Sequence, residues 1–361
     1  MFFDFFDWLS KDYYYNIFFI SIFAIFVFTS TIFISSVLSK KNNRFASIYD
    51  GVQKIHDGYV PRIGGLVIYL GCIIASIIFD NFDLKLICIS SIFLLIVSLK
   101  EDLFHNVSPH TRLIAIYISA IILMFNFPYN FPTIHIPFLS LLFENHMFEI
   151  LFFATSITIL ANGNNLIDGA NGLSAASSLT SLFCLLFLSI DTKNYEFAST
   201  VSLYILLLTT FLIFNYPWGK IFLGDFGAYF NGFVVGYLTI QFFSINDNLP
   251  SWIAVLILFY PVYEVFFSYI RKSFFEKDKS PFAPDKNHLH LKIYFLLFNG
   301  QLGKRKITNC LVTPFLCVIW FMPSFLIPWT YLHIELVFVS IIFMMIIYNA
   351  LYWATPRPKD D

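Results

Sequence analysis

The stretch Asn162-Gly163-Asn164-Asn165-Leu166-Ile167-Asp168-Gly169-Ala170-Asn171-Gly172-Leu173 places four asparagines, an aspartate and three glycines between two long apolar segments. Asn162, Asn165 and Asp168 are three residues apart, so on a helix their side chains fall within roughly a third of the circumference. Oxygen atoms from two amides and a carboxylate at a helix end, followed by a glycine-rich turn, suit the binding of a hydrated cation and a polar ligand. The alternative is an ordinary polar turn between two membrane spans.

The composition is that of a membrane protein. Of the 361 residues, 58% are hydrophobic and 12% are charged, whereas soluble domains carry about 25% charged residues. The mean hydropathy is +0.73, and long apolar runs recur throughout, which predicts an all-α polytopic membrane protein without a separate soluble domain. The five cysteines lie in apolar runs without a Cys-x-x-Cys motif, so we interpret them as small buried hydrophobic residues.

We predict eleven transmembrane helices in a single integral-membrane domain, residues 1–361, with the helical bundle spanning 17–352. The predicted spans are 17–38, 63–79, 84–99, 112–127, 148–161, 173–190, 199–215, 228–243, 251–270, 308–327 and 333–352. With the N-terminus outside and the C-terminus in the cytoplasm, all of the 22 Lys and Arg except Lys11, Lys85 and Lys193 lie on the cytoplasmic side. This distribution follows the positive-inside rule and sets the predicted orientation.

The chemically unusual stretches all fall on the cytoplasmic side of this topology. They occupy the predicted loops 39–62, 100–111, 162–173, 216–227 and 271–307. In the first of them, Arg62 beside the membrane could hold a phosphate, and Gly64-Gly65 would let another backbone approach closely. The alternative is a basic membrane anchor followed by a helix-start turn.

The next loop begins with the adjacent acids Glu101 and Asp102. A carboxylate pair could bind Mg²⁺ or accept a proton, and the alternative is a solvated loop end. Ser108 and Pro109 further along predict the N-cap and first turn of the next span.

Two further loops carry isolated polar groups. Asp225 lies between glycines at the entrance of an uncharged span, which favours a metal ligand over a helix-cap residue. His288 and His290 in a basic loop favour phosphate contact over zinc, because no Cys is near and no third His follows. Glu264 and Glu335 lie inside predicted spans, and the sequence assigns them no role.

These motifs resemble those of the polyprenyl-phosphate N-acetylhexosamine-1-phosphate transferase superfamily. The resemblance covers about residues 17 to 305. The matching residues, in the family's order, are Pro61-Arg62-Ile63-Gly64-Gly65, Glu101-Asp102, Asn162-x-x-Asn165-x-x-Asp168-Gly169-x-x-Gly172-Leu173, Phe222-Leu223-Gly224-Asp225 and His288-Leu289-His290.

Three departures from the family pattern bear on the substrate. The pair Glu101-Asp102 replaces paired aspartates, and Asn171 stands where an acid is common. His288-Leu289-His290 and His105 replace the three-His run and the Lys of the phospho-MurNAc-pentapeptide translocase, which disfavours a peptidoglycan substrate. The sequence is closer to the branch that starts O-antigen or other surface glycans.

The resemblance implies transfer of a sugar 1-phosphate from a UDP-N-acetylhexosamine to undecaprenyl phosphate, with release of UMP. It implies that the reaction requires Mg²⁺, for which Mn²⁺ can substitute. It also implies that the protein lies in the inner (cytoplasmic) membrane. The implied roles are Asp225 and Asn165 as metal ligands, Asp102, Glu101 and Asp168 as catalytic carboxylates, Arg62, His288 and His290 as phosphate contacts, Phe222 stacked on the uracil, and Asn171 at the uracil edge.

The expected partners are therefore the UDP-sugar, the polyprenyl phosphate and membrane lipid, with no nucleic acid. A homodimer is compatible with the resemblance. A secondary transporter with Glu264 and Asp168 as intramembrane coupling sites is the alternative, although no internal repeat is visible and the polar groups cluster at one surface. A non-catalytic membrane scaffold would not need the retained acids.

Overall fold

The computed structural model describes residues 60–134, 141–274, 287–298 and 305–356, together with some residues between 4 and 30. Residues 20, 28 and 31–38 of the predicted span 17–38, and residues 39–59 of loop 39–62, lie outside the described residues. So do 275–286 and 299–304 of loop 271–307.

The regular structure in the described residues is helical, as the composition predicted. The helices are α1 Gly64–Ile78, α2 Phe82–Ser90, α3 Ile92–Phe104, α4 Pro109–Phe125, α5 His146–Ile167, α6 Leu173–Asp191, α7 Tyr195–Asn215, α8 Gly224–Ile245, α9 Ile253–Ile257, α10 Phe259–Phe274, α11 Leu289–Leu297, α12 Arg305–Phe315, α13 Cys317–Trp320, α14 Met322–Thr330 and α15 Ile334–Ala354.

Six helical segments of the described chain are long and apolar enough to cross a membrane. They are α5, α6, α7, α8, the combined stretch 308–330 and α15. Helices α2 and α3, bent by 55° at Ser91, make a seventh if they form one span, and α1 and α4 are shorter apolar helices. A polytopic membrane protein is therefore confirmed, while the count of eleven spans and the orientation of the termini stay predictions.

Local sequence explains where several helices begin and bend. Ser108 Oγ accepts the Thr111 N–H at 3.1 Å, and Pro109 opens α4, as predicted. The predicted span 84–99 is bent at Ser91. The N–H of Leu94 beyond the bend donates to Ser119 Oγ at 3.1 Å. A hydroxyl from a neighbouring helix thus replaces the backbone partner that the bend removes.

Helix α8 is the centre of the bundle and is buried along nearly its whole length. It packs on α5, α3 and α1. The crossing with α1 is so close that a Cβ at Gly65 would lie 2.0 Å from the Cα of Gly227. The backbone N–H of Gly64 donates to Phe222 O and that of Gly65 to Leu223 O, both at 2.9 Å. The expected close approach at Gly64-Gly65 is confirmed.

The polar stretch is mostly helical, because α5 continues six residues beyond the predicted span end at 161. Asn164 faces the core, where its Oδ1 accepts a hydrogen bond from Ser178 Oγ at 2.9 Å. Asn231 Nδ2 donates to the same Ser178 Oγ at 2.7 Å, and Tyr204 OH donates to Asn231 Oδ1 at 3.1 Å. This buried network joins α5, α6, α7 and α8 and fixes the rotation of the α5 end that carries Asn165.

Candidate active site

Two arginines converge on the carboxylate of Asp225. Arg62 Nη2 donates to Oδ1 at 2.7 Å, and Arg112 Nη1 donates to Oδ2. Arg62 precedes α1, Arg112 lies in the first turn of α4, and Asp225 lies in the first turn of α8. The arginine side chains keep 25% and 16% exposure, so an anion that binds beside Asp225 can reach both guanidinium groups.

Asp102 caps the N-terminus of α8. Its Oδ1 accepts the N–H of Asp225 at 2.7 Å, and its Oδ2 accepts the N–H of Phe226 at 2.9 Å. The first N–H groups of a helix have no partner within the helix, and the positive end of the helix dipole favours a carboxylate there. The same Arg62 Nη2 lies 3.4 Å from Asp102 Oδ1. Asp102 and Asp225 therefore share one guanidinium, as the convergence of the motifs requires.

The Asp102 side chain is 1% exposed and both of its oxygens accept backbone hydrogen bonds. In this conformation it holds α8 and Asp225 in place. Its implied role at the lipid phosphate stays a prediction. The neighbouring Glu101 points elsewhere, because adjacent helical side chains diverge by about 100°: its Oε2 accepts the Val107 N–H at 2.7 Å and holds the α3–α4 loop.

Gly224 is required at the junction of these groups. Its φ is +76°, and a Cβ there would lie 2.3 Å from the carbonyl oxygen of Arg62 and 2.7 Å from Asp102 Oδ2. Any other residue would meet both backbone strain and a clash. The Gly-Asp motif thus lets the chain turn tightly enough to bring Asp225 under Arg62.

The end of α5 supplies Asn165 and Asp168. Asn165 lies in the last turn, and Asp168 follows as the C-cap residue with its N–H donating to Asn165 O at 3.3 Å. Burial raises the pKa of the Asp168 carboxyl well above its ordinary value; Arg62 opposes this rise and the Asp102 carboxylate adds to it. Asp168 therefore lies within electrostatic range of both Arg62 and Asp102.

Asn171 is fixed by three hydrogen bonds. Its Nδ2 donates to Pro217 O at 3.0 Å, and its N–H donates to Asn309 Oδ1 at 2.7 Å. Its carbonyl accepts the Thr313 hydroxyl at 2.7 Å. The turn after α5 is thereby tied to α12. The implied contacts of Asn171 and of the half-buried Phe222 with uracil stay predictions.

The His pair meets the polar stretch directly. The rings of His288 and His290 are stacked with centroids 6.0 Å apart. A Cβ at Gly169 would lie 2.1 Å from His290 Nε2, so the ring rests on the residue after Asp168. The loop that carries the pair is therefore brought to the same place as the α5 end, although more than a hundred residues separate them in the chain.

Magnesium stays a prediction for this site. Mg²⁺ commonly binds one or two protein carboxylates and completes its octahedron with waters and substrate phosphates. Within the described residues, no three His, Cys, Asp or Glu side chains converge closely enough to enclose a metal ion. The oxygen donors of Asp225, Asn165 and Asp168 have the chemistry of a partial Mg²⁺ ligand set. Since Asp225 is paired with Arg62 and Arg112, the arginines would have to share it with the cation.

Some residues that build the site have no role in the sequence predictions. Arg112 is predicted only as one of the cytoplasmic charges, and Asn309 and Thr313 fall within the predicted span 308–327. Glu264 stands out in the sequence only because it is an acid within an apolar span. In the structure its carboxylate forms a hydrogen bond with His288. Glu335 differs: it is exposed in the first turn of α15, where the helix dipole favours an acid.

Comparison with known proteins finds one family that part of the chain resembles. The profile of glycosyl transferase family 4 matches residues 84–243, which include Asp102, the polar stretch and Asp225. Over these 160 of its 361 residues the chain is similar to that family. Arg62 and the His pair lie outside the matched residues.

Several relatives have descriptive names. The chain is 28% identical over 251 residues to a probable undecaprenyl-phosphate N-acetylglucosaminyl 1-phosphate transferase of Bacillus subtilis (strain 168), covering 67% of each chain. It is 28% identical over 286 residues to an undecaprenyl-phosphate alpha-N-acetylglucosaminyl 1-phosphate transferase of Thermotoga maritima, covering 77% of this chain and 82% of the relative. A phospho-N-acetylmuramoyl-pentapeptide-transferase of Campylobacter jejuni is 30% identical over 237 residues, or 56% of this chain and 66% of the relative.

Proposed function

We propose that this protein transfers an N-acetylhexosamine 1-phosphate from a UDP-sugar to undecaprenyl phosphate and releases UMP. The relatives bear names of polyprenyl-phosphate sugar-1-phosphate transferases, and the chain is accordingly a phosphoglycosyltransferase. The observation that carries the proposal is the meeting of Arg62, Arg112, Asp102 and Asp225 beside the α5 end and the His pair. We further propose that the reaction starts a surface glycan such as O-antigen at the cytoplasmic membrane.

The reaction forms one bond and breaks one bond. An oxygen of the lipid phosphate attacks the phosphorus that carries the sugar, the bond from this phosphorus to the UMP oxygen breaks, and UMP leaves. The bond between sugar and phosphate stays intact. A phosphate monoester has its second pKa at about 6. Most of the lipid phosphate groups therefore carry two negative charges at neutral pH, before they attack.

The main task of the protein is to bring anions together. Arg62 and Arg112 are suited to it, because a guanidinium offers paired N–H donors to phosphate oxygens and is less strongly hydrated than an ammonium. Asp225 accepts a hydrogen bond from each arginine and so keeps both guanidinium groups oriented. Burial raises the pKa of the Asp168 carboxyl above its ordinary value, so this group holds a proton more readily than an exposed carboxyl does.

A bound Mg²⁺ would be held by Asp225 and Asn165, with Asp168 nearby, and would neutralise phosphate charge during transfer. His288 and His290 would contact phosphate oxygens. Asp102 would act mainly by seating Asp225, and its direct action on the lipid phosphate is a separate proposal.

The polyprenyl tail requires an apolar binding surface. A cavity of about 630 Å³ lies between α5, α8, α9 and α10, and its wall is almost entirely apolar. It is lined by residues that include Phe152, Ile159, Ile240, Val255, Val262 and Phe266. We propose this cavity as the place of the tail, since its apolar wall can pack against a polyprenyl chain by van der Waals contact.

The proposal is tested with the purified chain in lipid nanodiscs, undecaprenyl phosphate, Mg²⁺ and a panel of UDP-N-acetylhexosamines. Mass spectrometry of the lipid fraction should detect an undecaprenyl-diphosphate-linked sugar with at least one donor, together with free UMP. Chelation of divalent cations should stop the reaction and added Mg²⁺ should restore it. If no donor gives a lipid-linked product, the proposed function is wrong.

A further inference from the structure

Glu264 is a buried carboxylate in α10 with a complete set of hydrogen-bond donors. Its side chain is 1% exposed. Oε1 lies 2.9 Å from Nδ1 of His288 and accepts the N–H of Leu289 at 3.4 Å. Oε2 accepts the Tyr348 hydroxyl at 2.6 Å. A buried acid that only filled space would cost several kcal/mol (about 3–5) if it were left unpaired, so these partners account for its presence.

The pairing settles which nitrogen of His288 carries the inward proton. The carboxylate oxygen accepts at Nδ1, so Nδ1 is the donor and Nε2 is the nitrogen directed away from Glu264. Glu264 therefore gives His288 a fixed ring orientation.

The His pair carries this orientation to the polar stretch. The ring planes of His288 and His290 differ by 14°, and the ring of His290 rests on Gly169, directly after Asp168. A rotation of the His288 ring would therefore disturb its stacking partner beside the candidate active site.

The last helix holds the other side of this arrangement. Tyr348 in α15 donates to Glu264. Tyr352 lies one turn further along α15, and its carbonyl accepts a hydrogen bond from Lys292 Nζ of α11 at 2.5 Å. The same Nζ lies 3.7 Å from the centroid of the Tyr352 ring. Helices α10, α11 and α15 all lie beyond residue 243, where the family match ends. The support of the His pair is thus built from a part of the chain that the family profile does not cover.

We propose that Glu264, seated by Tyr348, is a positioning residue that holds His288 for contact with the phosphates of the nucleotide sugar. The proposal rests on the proposed function for its kinetic consequence. Its structural part, the hydrogen bond between Glu264 and His288, is measured without turnover.

The first measurement is proton NMR of the full-length chain in detergent micelles. A buried Nδ1–H that donates to a carboxylate gives a resonance well downfield of the backbone amides. The wild-type chain should show it, His288→Gln should lose it, and Glu264→Gln should move it upfield, because a neutral amide oxygen is a weaker acceptor than a carboxylate. Tyr263→Phe is the matched control. It removes a hydrogen bond between α10 and α15, from Asn349 Nδ2 to the Tyr263 hydroxyl at 2.7 Å, and should keep the resonance.

The second measurement is a double-mutant cycle on the transfer reaction. Glu264→Gln should lower kcat/KM for the UDP-sugar between about tenfold and a hundredfold, the range for loss of a charge-assisted hydrogen bond. His288→Gln should lower kcat/KM similarly. Because Glu264 acts through His288, kcat/KM of the double variant should be no lower than that of the less active single variant. Tyr348→Phe, which keeps the packing, should have a smaller effect in the same direction, and Tyr263→Phe should stay within twofold of wild type.

The outcomes separate the two proposals. Multiplicative effects in the cycle, or a Glu264→Gln variant as active as wild type, would overturn the positioning role while leaving the proposed function intact. Persistence of the downfield resonance at its wild-type position in Glu264→Gln would overturn the hydrogen bond itself. Absence of any lipid product from wild type would overturn the proposed function and, with it, the kinetic role of Glu264. If Glu264→Gln does not fold, Tyr348→Phe takes its place in the cycle.

Discussion

Asp102 accepts the backbone N–H of Asp225 at 2.7 Å, which joins two acids separated by 123 residues in the chain. One of these acids therefore supports the other: Asp102 satisfies the N-terminus of α8, and Asp225 in the first turn of that helix faces Arg62 and Arg112. The two motifs act as one structural unit, and a change in Asp102 should be felt at Asp225.

The substitution Asp102→Asn should destabilise the fold as well as lower activity. Asparagine keeps one acceptor oxygen, so one of the two N–H groups at the start of α8 loses its partner, at a cost of about 1–2 kcal/mol in the free energy of unfolding. Glu101→Gln is the control, since its amide oxygen can still accept the Val107 N–H. Denaturant unfolding in detergent measures both, and equal stability of Asp102→Asn and wild type would contradict the capping role.

Substitution of Arg112 by lysine tests the paired arginines. Lysine keeps the charge but loses the planar set of donors, so Arg112→Lys should lower kcat/KM for the UDP-sugar by about tenfold or more. Lys220→Gln removes a positive charge from the loop before α8 without touching Asp225 and should leave kcat/KM within twofold. A variant Arg112→Lys with wild-type kinetics would remove Arg112 from the phosphate-binding group.

Gly65→Ala should disrupt the crossing of α1 and α8. The added Cβ would lie 2.0 Å from the backbone of Gly227, where no side-chain rotation can relieve the clash, so we expect a loss of about 3 kcal/mol or more. At Gly236 the nearest atom is Ile157 Cγ1 at 3.2 Å, and Gly236→Ala is the milder control. Size-exclusion chromatography and thermal unfolding compare the two, and equal behaviour would contradict the close helix contact.

Much of this arrangement follows from local sequence signals. The Gly64-Gly65 pair predicted close backbone approach, Ser108-Pro109 predicted a helix start, and the polar residues within apolar runs marked the elements that meet around Asp225. These signals are recognisable because polar or flexible residues in a membrane segment are costly unless they have partners.

The pairings themselves were beyond such signals. The sequence around Arg112 does not indicate that it contacts Asp225, and the sequence around Thr313 does not indicate that it contacts Asn171. Both contacts depend on how helices that are distant in the chain pack together. The bend at Ser91 depends on a hydroxyl from α4, and the continuation of α5 depends on a core network with Ser178 and Asn231. Periodicity within one segment carries no information about these tertiary partners.

The central claim is that the sugar moves together with its phosphate. The most direct test supplies undecaprenyl phosphate and a UDP-N-acetylhexosamine that carries radioactive phosphorus only at the phosphate next to the sugar, and then separates lipid from water-soluble products. We predict that the label enters the lipid fraction as UMP is released, and that Asp225→Asn abolishes this transfer. Label that remains in water-soluble UDP while the sugar reaches the lipid would contradict the account.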